Sequence, residues 1–182
     1  MKIGIDIDNV IANTYQDLRH FFDGFMGRKV DPHETVRIMR TQKLKMWLYF
    51  LKAWQDKVMT TVTLIDGAAE TIRHLHPENS IYLVTSRFSL FNRQTKDWLK
   101  KHNIPYHELH HAKETTKHTK VSLPDIFIED NLEECETLSK HCGKILLFNQ
   151  PWNQKPIKHA NVIRVSSWEE IKKHLHLPPT GI

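Results

Sequence analysis

Apolar positions along the chain follow two rhythms, and their order outlines a fold. Short apolar runs free of turn residues read as buried strands at residues 2–6, 80–84, 104–109, 125–129, 144–148 and 161–165. Elsewhere apolar residues recur at helical spacing, over residues 15–25, 34–61, 68–76, 90–102, 132–141 and 168–176. Gly27 and Gly143 stand where helices stop, and Asp31-Pro32 stands where one opens. Ser167 followed by Glu170 reads as a capping box. A basic stretch at 113–123, closed by Pro124, is helical in pattern, and the tail at 178–181 is expected to be loose. Strand and helix alternate except between residues 14 and 61, where no strand signal appears. The alternation predicts an α/β domain with a doubly wound, mostly parallel sheet, and the exception predicts a helical insertion after the first strand.

Composition narrows the picture. With 182 residues and 40% hydrophobic content, the chain suffices for one domain with a core. No apolar run reads as a membrane span or a signal peptide. Two cysteines, Cys135 and Cys142, are too few for a disulfide framework and fall seven apart on one expected helix. A reducing, cytoplasmic compartment is therefore expected. The net charge of +5 is spread along the chain, without an arginine-rich arm or zinc-finger spacing. It supports a small anionic ligand more than a nucleic-acid polymer. His107, His110, His111 and His118 crowd one region, but no HExxH or Cys-plus-His pattern accompanies them, so they read as surface residues.

Three of the expected strands end in residues suited to one site. The first ends in Asp6 and Asp8, the second in Thr85 and Ser86, and the fourth in Glu129 and Asp130. Open α/β sheets bind ligands at the carboxyl ends of their strands. Paired carboxylates there suit Mg²⁺, a hard ion that takes oxygen ligands, and a hydroxyl pair can donate to phosphate oxygens. Each ending also has a plain structural explanation as a turn or a helix cap. In the helical insertion, Trp47, Phe50 and Trp54 are spaced to share one helix face. They read either as the core of a helical hairpin or as an aromatic wall over the site.

These endings resemble the motifs of the haloacid dehalogenase (HAD) superfamily of phosphotransferases. Asp6-x-Asp8-x-Val10 resembles its first motif, Val84-Thr85-Ser86 its second, and Ile126-Phe127-Ile128-Glu129-Asp130-Asn131 its fourth. More closely, the chain is similar to the 5′(3′)-deoxyribonucleotidase family and its prokaryotic relatives. The Thr85-Ser86 pair, the acidic pair before Asn131 and the segment Leu146-Leu147-Phe148…Pro151-Trp152-Asn153 carry that closer likeness. The resemblance implies a HAD-like, Rossmannoid core over residues 1–13 and 62–182, with residues 14–61 as a small helical cap. It implies Asp6 as nucleophile, forming an aspartyl-phosphate, and Asp8 as general acid and then base. Mg²⁺ would be held by Asp6, a backbone carbonyl at Asp8, and Asp130, while Thr85 and Ser86 would bind phosphate.

The third motif is a lysine upstream of the fourth, and three precede it here: Lys113, Lys117 and Lys120. Counting from the strand before favours Lys113 and counting back from Asp130 favours Lys120. A helix rises about 1.5 Å per residue, which would carry a late lysine away from the sheet edge. Lys117 is the expected phosphate ligand, with Lys113 next. Asn9 departs from the smaller residue many relatives carry, in the turn that aims Asp8. The expected function is a Mg²⁺-dependent phosphomonoesterase acting on a small phosphorylated metabolite, a nucleoside or deoxynucleoside monophosphate first. A sugar phosphate substrate and a catalytically silent phosphate-binding protein are the alternatives. The exact substrate and the oligomeric state stay open.

Overall fold

The computed structural model describes residues 1–177; the tail at 178–181 lies outside the described residues. Six strands form one parallel sheet: β1 (Lys2–Ile5), β2 (Ser80–Thr85), β3 (Glu108–His111), β4 (Ile126–Glu129), β5 (Lys144–Phe148) and β6 (Val162–Val165). Their spatial order is β3-β2-β1-β4-β5-β6, which reverses direction between β1 and β4. That reversal is the topological switch point where doubly wound sheets open a crevice.

β1 lies at the centre because its residues tolerate burial on both faces. Ile3 and Ile5 are fully buried, and between them Gly4 faces the Phe127 ring. A Cβ at Gly4 would lie 2.3 Å from that ring, so any larger residue would force β1 and β4 apart. Ile5 pairs with Leu83 of β2 and with Ile128 of β4, and the Asp6 amide donates onward to the Ile128 carbonyl at 3.0 Å. The carboxyl ends of β1, β2 and β4 are thereby held side by side.

Four helices flank the sheet: α4 (Ala68–Leu75), α5 (Asn92–Lys101), α6 (Leu132–Leu138) and α7 (Trp168–His174). Three others, α1 (Thr14–Met26), α2 (Pro32–Thr41) and α3 (Lys43–Gln55), occupy the stretch between β1 and β2. They build a cluster of their own from Phe22, Val30, Ile38, Met46 and Tyr49. Tyr49 is its hub, with the rings of Phe21, Phe22, Phe25 and Phe50 each within 5.5 Å of its own. Leu18 and Ala53 join this block to the main core.

The chain enters and leaves the helical block through adjacent backbone. The Asn13 amide donates to the Thr63 carbonyl at 3.0 Å, and the Ile65 amide donates to the Ile11 carbonyl at 2.8 Å. Two fully buried tryptophans brace this crossing: Trp98 Nε1 donates to the Val62 carbonyl at 2.7 Å and Trp168 Nε1 to the Val10 carbonyl at 2.8 Å. Burying an indole requires such a partner for its N–H, and here the partner is the linker itself.

Several sequence expectations shift. The basic stretch at 113–123 is not an α-helix; only Lys117–Thr119 forms a 3₁₀ turn. Thr115 and Leu123 there adopt positive φ (62° and 47°), which no right-handed helix accommodates. The strand expected at 104–109 begins later, at Glu108, because Asn103 turns at φ 51° and the chain must first reach the sheet edge. The helical run at 34–61 is broken at Gln42 and followed by a 3₁₀ turn at Val58–Thr60. A 3₁₀ turn at Ser89–Phe91 likewise precedes α5. Because α6 stops at Leu138, Cys142 lies beyond the helix that carries Cys135; both thiols are free and buried. Ser167 caps α7 as expected, accepting from the Glu170 amide at 3.2 Å. The Glu170 carboxylate, however, accepts from the Ser166 amide at 2.8 Å instead of closing the box on Ser167.

Candidate active site

The carboxyl edge at the switch point gathers most of the polar residues singled out from the sequence. Asp6 directly follows β1 and is 5% exposed. Lys117 Nζ lies 2.9 Å from its Oδ1 and 2.7 Å from Glu129 Oε2. Of the three candidate lysines, Lys117 is buried, whereas Lys113 and Lys120 are exposed. A loop, not a helix, delivers it. The buried Glu134 on α6 accepts from the backbone amides of Thr115 and Lys117 and so pins that loop to the fourth-strand side.

Asp6, Glu129 and Asp130 place one carboxylate oxygen each within 4.8 Å of the others. This is the one group of three or more such ligands among the described residues, and no histidine joins it. Three buried carboxylates against one ammonium leave an excess of negative charge. Burial accordingly pushes Asp6 well above the usual carboxylate range, against the pull of Lys117. Burial together with the neighbouring Glu129 raises Asp130 to about 8. Burial alone would lower Lys117, but the Asp6 and Glu129 carboxylates outweigh it and keep the ammonium charged.

The cluster fits a hard divalent cation by its donor set and its excess charge. Its members differ in availability. Glu129 is already engaged on both oxygens: Oε2 by Lys117, and Oε1 by the amides of Asp130 and Asn131 at 3.2 and 3.1 Å. Asp130 is held through Oδ2, which accepts from Asn9 Nδ2 at 3.2 Å and Trp152 Nε1 at 3.1 Å. Asn153 Nδ2 fixes the Asp130 carbonyl at 2.8 Å. Asp6 and Asp130 are the carboxylates with capacity left for a cation.

Asp8 sits apart from this group. Its carboxylate accepts from Arg87 Nη2 at 2.7 Å, from Nε at 3.0 Å to each oxygen, from Thr85 Oγ1 at 3.3 Å, and from Thr14 Oγ1. Burial would raise the Asp8 pKa, but the Arg87 charge and hydrogen bonds override it, and the group stays below its ordinary value. Arg87 is itself buried, with Nη1 3.2 Å from Thr95 Oγ1 of α5 and its carbonyl 2.8 Å from His111 Nδ1. Thr85 is fully buried at the end of β2, and Ser86 beside it is exposed.

Asn9 takes a left-handed conformation (φ 60°), which Asn tolerates better than most residues. Its side chain donates to Asp130 and accepts from the Tyr15 amide at 2.8 Å, so it ties the β1 turn to β4 and to α1. Arg87 and Glu134 are the residues that sequence reasoning passed over, and Glu129 was singled out there only as one of the acidic pair. The only available signal was an acid in a run otherwise ending apolar, and an arginine directly after the hydroxyl pair.

A cavity of about 720 Å³ opens beside the cluster. Asn9, Asp130 and Thr14 line one part of it, and Tyr15, Phe22, Tyr49, Phe50 and Trp152 line another. The Tyr15 and Trp152 rings pack against each other with centroids 4.9 Å apart. The Tyr15 hydroxyl is buried and has no hydrogen-bond partner. The expected aromatic wall is only partly here. Phe50 lines the cavity, but Trp47 and Trp54 do not; they are 61% and 40% exposed. The helix turns a different face inward, carrying Met46, Tyr49 and Ala53.

Comparison with known proteins agrees with this architecture. Among solved structures, YfnB of Bacillus subtilis, described as a HAD-hydrolase and solved bound to magnesium, superposes with a TM-score of 0.62 at 15% identity, covering 97% of this chain and 98% of that one. The haloacid dehalogenase-like hydrolase SP0104 of Streptococcus pneumoniae gives 0.66 at 11% identity, covering 95% and 97%. At these identities the likeness concerns the fold. Among curated proteins, Nucleotidase CA_C3379 of Clostridium acetobutylicum is 29% identical over 179 residues, covering 94% of this chain and 91% of that protein. A Chlorobaculum tepidum protein provisionally named 5′(3′)-deoxyribonucleotidase is 27% identical over 188 residues, covering 93% and 87%. The family model described as 5′ nucleotidase, deoxy (Pyrimidine), cytosolic type C protein matches residues 1–177. The chain therefore belongs to the NT5C family of nucleotidases, within the HAD superfamily.

Proposed function

We propose that this protein is a Mg²⁺-dependent phosphomonoesterase that hydrolyses nucleoside or deoxynucleoside monophosphates through an aspartyl-phosphate on Asp6. The carrying observation is the Asp6 carboxylate, buried at the end of the central strand, with the Lys117 ammonium at 2.9 Å and Asp130 in the same cluster. Asp6, Asp130 and the Asp8 backbone carbonyl would hold Mg²⁺. When bound, the ion would neutralise phosphate charge that the surrounding carboxylates otherwise repel.

In the first step an Asp6 oxygen attacks phosphorus, and the bond from phosphorus to the leaving alcohol oxygen breaks. The protonated Asp8 carboxyl gives that oxygen its proton. In the second step water attacks the aspartyl-phosphate, Asp8 takes a proton from it, and Asp6 is regenerated with release of inorganic phosphate. Lys117 stays protonated and binds a phosphate oxygen, and Thr85 and Ser86 donate to others. Arg87 keeps Asp8 ionised in the free protein, and an incoming phosphate dianion beside it favours the protonated form.

The 720 Å³ cavity has the size and apolar lining of a small-molecule site. The unpartnered Tyr15 hydroxyl and the Tyr15–Trp152 pair suit a planar leaving group with polar edges, such as a nucleoside. Residues 14–61 then act as the cap and residues 1–13 and 62–182 as the core. The two free, buried cysteines fit a cytoplasmic setting.

The test is phosphate release from a panel of nucleotides and sugar phosphates, with Mg²⁺ and with EDTA. Turnover of nucleoside monophosphates with Mg²⁺, silenced by chelator, is expected. Asp6→Asn should lower kcat by roughly three orders of magnitude or more while retaining the fold. Activity of Asp6→Asn within tenfold of wild type, or full activity in chelator, refutes the mechanism.

A further inference from the structure

The segment Pro151-Trp152-Asn153 takes no step in the proposed reaction, yet it grips one of the carboxylates that would hold the metal. Asp130 Oδ2 accepts from Trp152 Nε1 at 3.1 Å and from Asn9 Nδ2 at 3.2 Å. Among the described residues, no hydrogen bond to Oδ1 joins these two. Asn153 Nδ2 bridges the Asp130 and Phe148 carbonyls at 2.8 Å each, and Arg164 Nη1 fixes Asn153 Oδ1 at 2.6 Å. Gln150 Nε2 donates to the Asn9 carbonyl at 2.9 Å. The loop after β5 therefore sets the Asp130 carboxylate, its backbone and the turn that carries Asn9. Two donors on one oxygen fix the rotation of the carboxylate and leave the other oxygen for a cation.

Trp152 belongs to the cavity as well. Its ring packs on that of Tyr15, from α1, with centroids 4.9 Å apart, and both residues line the 720 Å³ space. The Tyr15 amide in turn donates to Asn9 Oδ1 at 2.8 Å. A closed circuit results, from Asp130 through Asn9 and Tyr15 to Trp152 and back to Asp130. An indole is a rigid plane whose sole polar group is one N–H on its edge. The ring therefore cannot turn in the cavity without moving that hydrogen away from Asp130 Oδ2. We infer that Trp152 is a positioning residue that couples the two ligands of this site. A planar leaving group packed against the Tyr15–Trp152 pair holds the indole where its N–H serves Asp130, and so tightens the hold on Mg²⁺. A cation on Asp130 fixes the same indole and tightens the hold on the leaving group, because such coupling is reciprocal by necessity. This inference rests on the proposed metal site and nucleoside cavity, and makes the filling of each depend on the other.

The test is calorimetric titration of Mg²⁺ into the full chain, alone and with thymidine, deoxycytidine, deoxyadenosine or deoxyguanosine, which carry no phosphate to turn over. In wild type at least one nucleoside should tighten Mg²⁺ binding about fivefold or more. Trp152→Phe keeps a ring against Tyr15 and loses the N–H. It should bind Mg²⁺ roughly tenfold more weakly, and the nucleoside should no longer tighten that binding. Asn9→Gly accepts the positive φ and removes the other donor, so it should weaken Mg²⁺ binding while keeping the nucleoside effect. Melting temperatures in EDTA report folding separately. A purely structural role would lower those temperatures and leave Mg²⁺ affinity and the nucleoside effect of the folded Trp152→Phe protein at wild-type values, which overturns the inference. Wild-type protein that binds Mg²⁺ with an affinity no nucleoside changes overturns it too, and leaves the proposed metal site standing. Wild-type protein that binds no Mg²⁺ overturns both.

Discussion

Arg87 grips Asp8 with two of its nitrogens at once, Nη2 2.7 Å from Oδ1 and Nε 3.0 Å from both carboxylate oxygens. A planar fork sets both the position and the direction of the carboxylate in a way that a lysine does not. In the proposed mechanism Asp8 matters most when the leaving alcohol needs a proton. Arg87→Lys should therefore slow nucleotide hydrolysis by about 10²-fold while hurting p-nitrophenyl phosphate much less. Steady-state kinetics on both substrates check this. Equal losses on the two would show that Arg87 supports the fold and not the aim of Asp8.

Among the described residues, Lys117 is the one ammonium paired with Asp6 and Glu129, and both partners are buried with it. Lys117→Met removes the positive charge and leaves the carboxylates behind. Breaking a buried pair from one side costs about 3–5 kcal/mol, so denaturant melting of the metal-free variant should show a loss of that size. Lys113→Met and Lys120→Met, on exposed side chains, should change stability by about 0.5 kcal/mol or less. A neutral Lys117→Met would contradict the charge arrangement described above.

Stability of the metal-free protein should fall as pH rises. Asp130 is raised from 3.8 to about 8 in the folded chain, and Asp6 is raised as well. Groups with raised folded values bind protons more tightly in the native state, so their contribution is complete below about 3.8 and is lost as pH climbs towards 8. Asp8 has the opposite sign and matters only in acid. Melting temperatures between pH 6 and 9 should decline without metal. Added Mg²⁺ should flatten that decline, and Asp130→Asn should reduce it. A flat profile in EDTA would contradict the buried, repelling cluster.

The cavity offers a sharper discrimination between substrates. Tyr15→Phe removes only the unpartnered hydroxyl, and Phe50→Ala removes part of the apolar lining. If a base occupies the cavity, Phe50→Ala should weaken nucleotide binding by ~1–3 kcal/mol, as stacking on an aromatic ring does elsewhere. Tyr15→Phe should raise KM for the nucleotide about tenfold or less, at unchanged melting temperature. Both should leave the inhibition constant of inorganic phosphate unaltered. Uniform loss across phosphoester substrates would move the leaving group out of this cavity.

The sheet and the acids at its edge were legible because their signals are local. An apolar run of three or four residues ending in an acid or a hydroxyl residue announces a buried strand and its polar tip, and β1, β2 and β4 lie where that pattern puts them. Lys117 could be narrowed only by counting, and through a helix that does not form: the loop bearing it is shaped by Glu134, a long-range partner with no sequence signature. Arg87 escaped notice for the same reason, since its partner Asp8 is 79 residues away. The phase of α3 was misread because both of its faces are apolar, so periodicity offered no choice between them.

The central place of β1 also governs how the chain reaches its fold. β1 is synthesised first, yet its two neighbours are residues 80–83 and 126–128. At ~5–20 residues per second, the strand carrying Asp6 waits on the order of ten seconds for the second of them. Until then its apolar edge has no ladder to join, and the closing contacts are non-local, which favours slow folding. Nascent chains arrested before residue 125 should therefore show no protected amides in β1, whereas those extended past β4 and clear of the ribosome should. The chain commits its most chemically important strand first and secures it last.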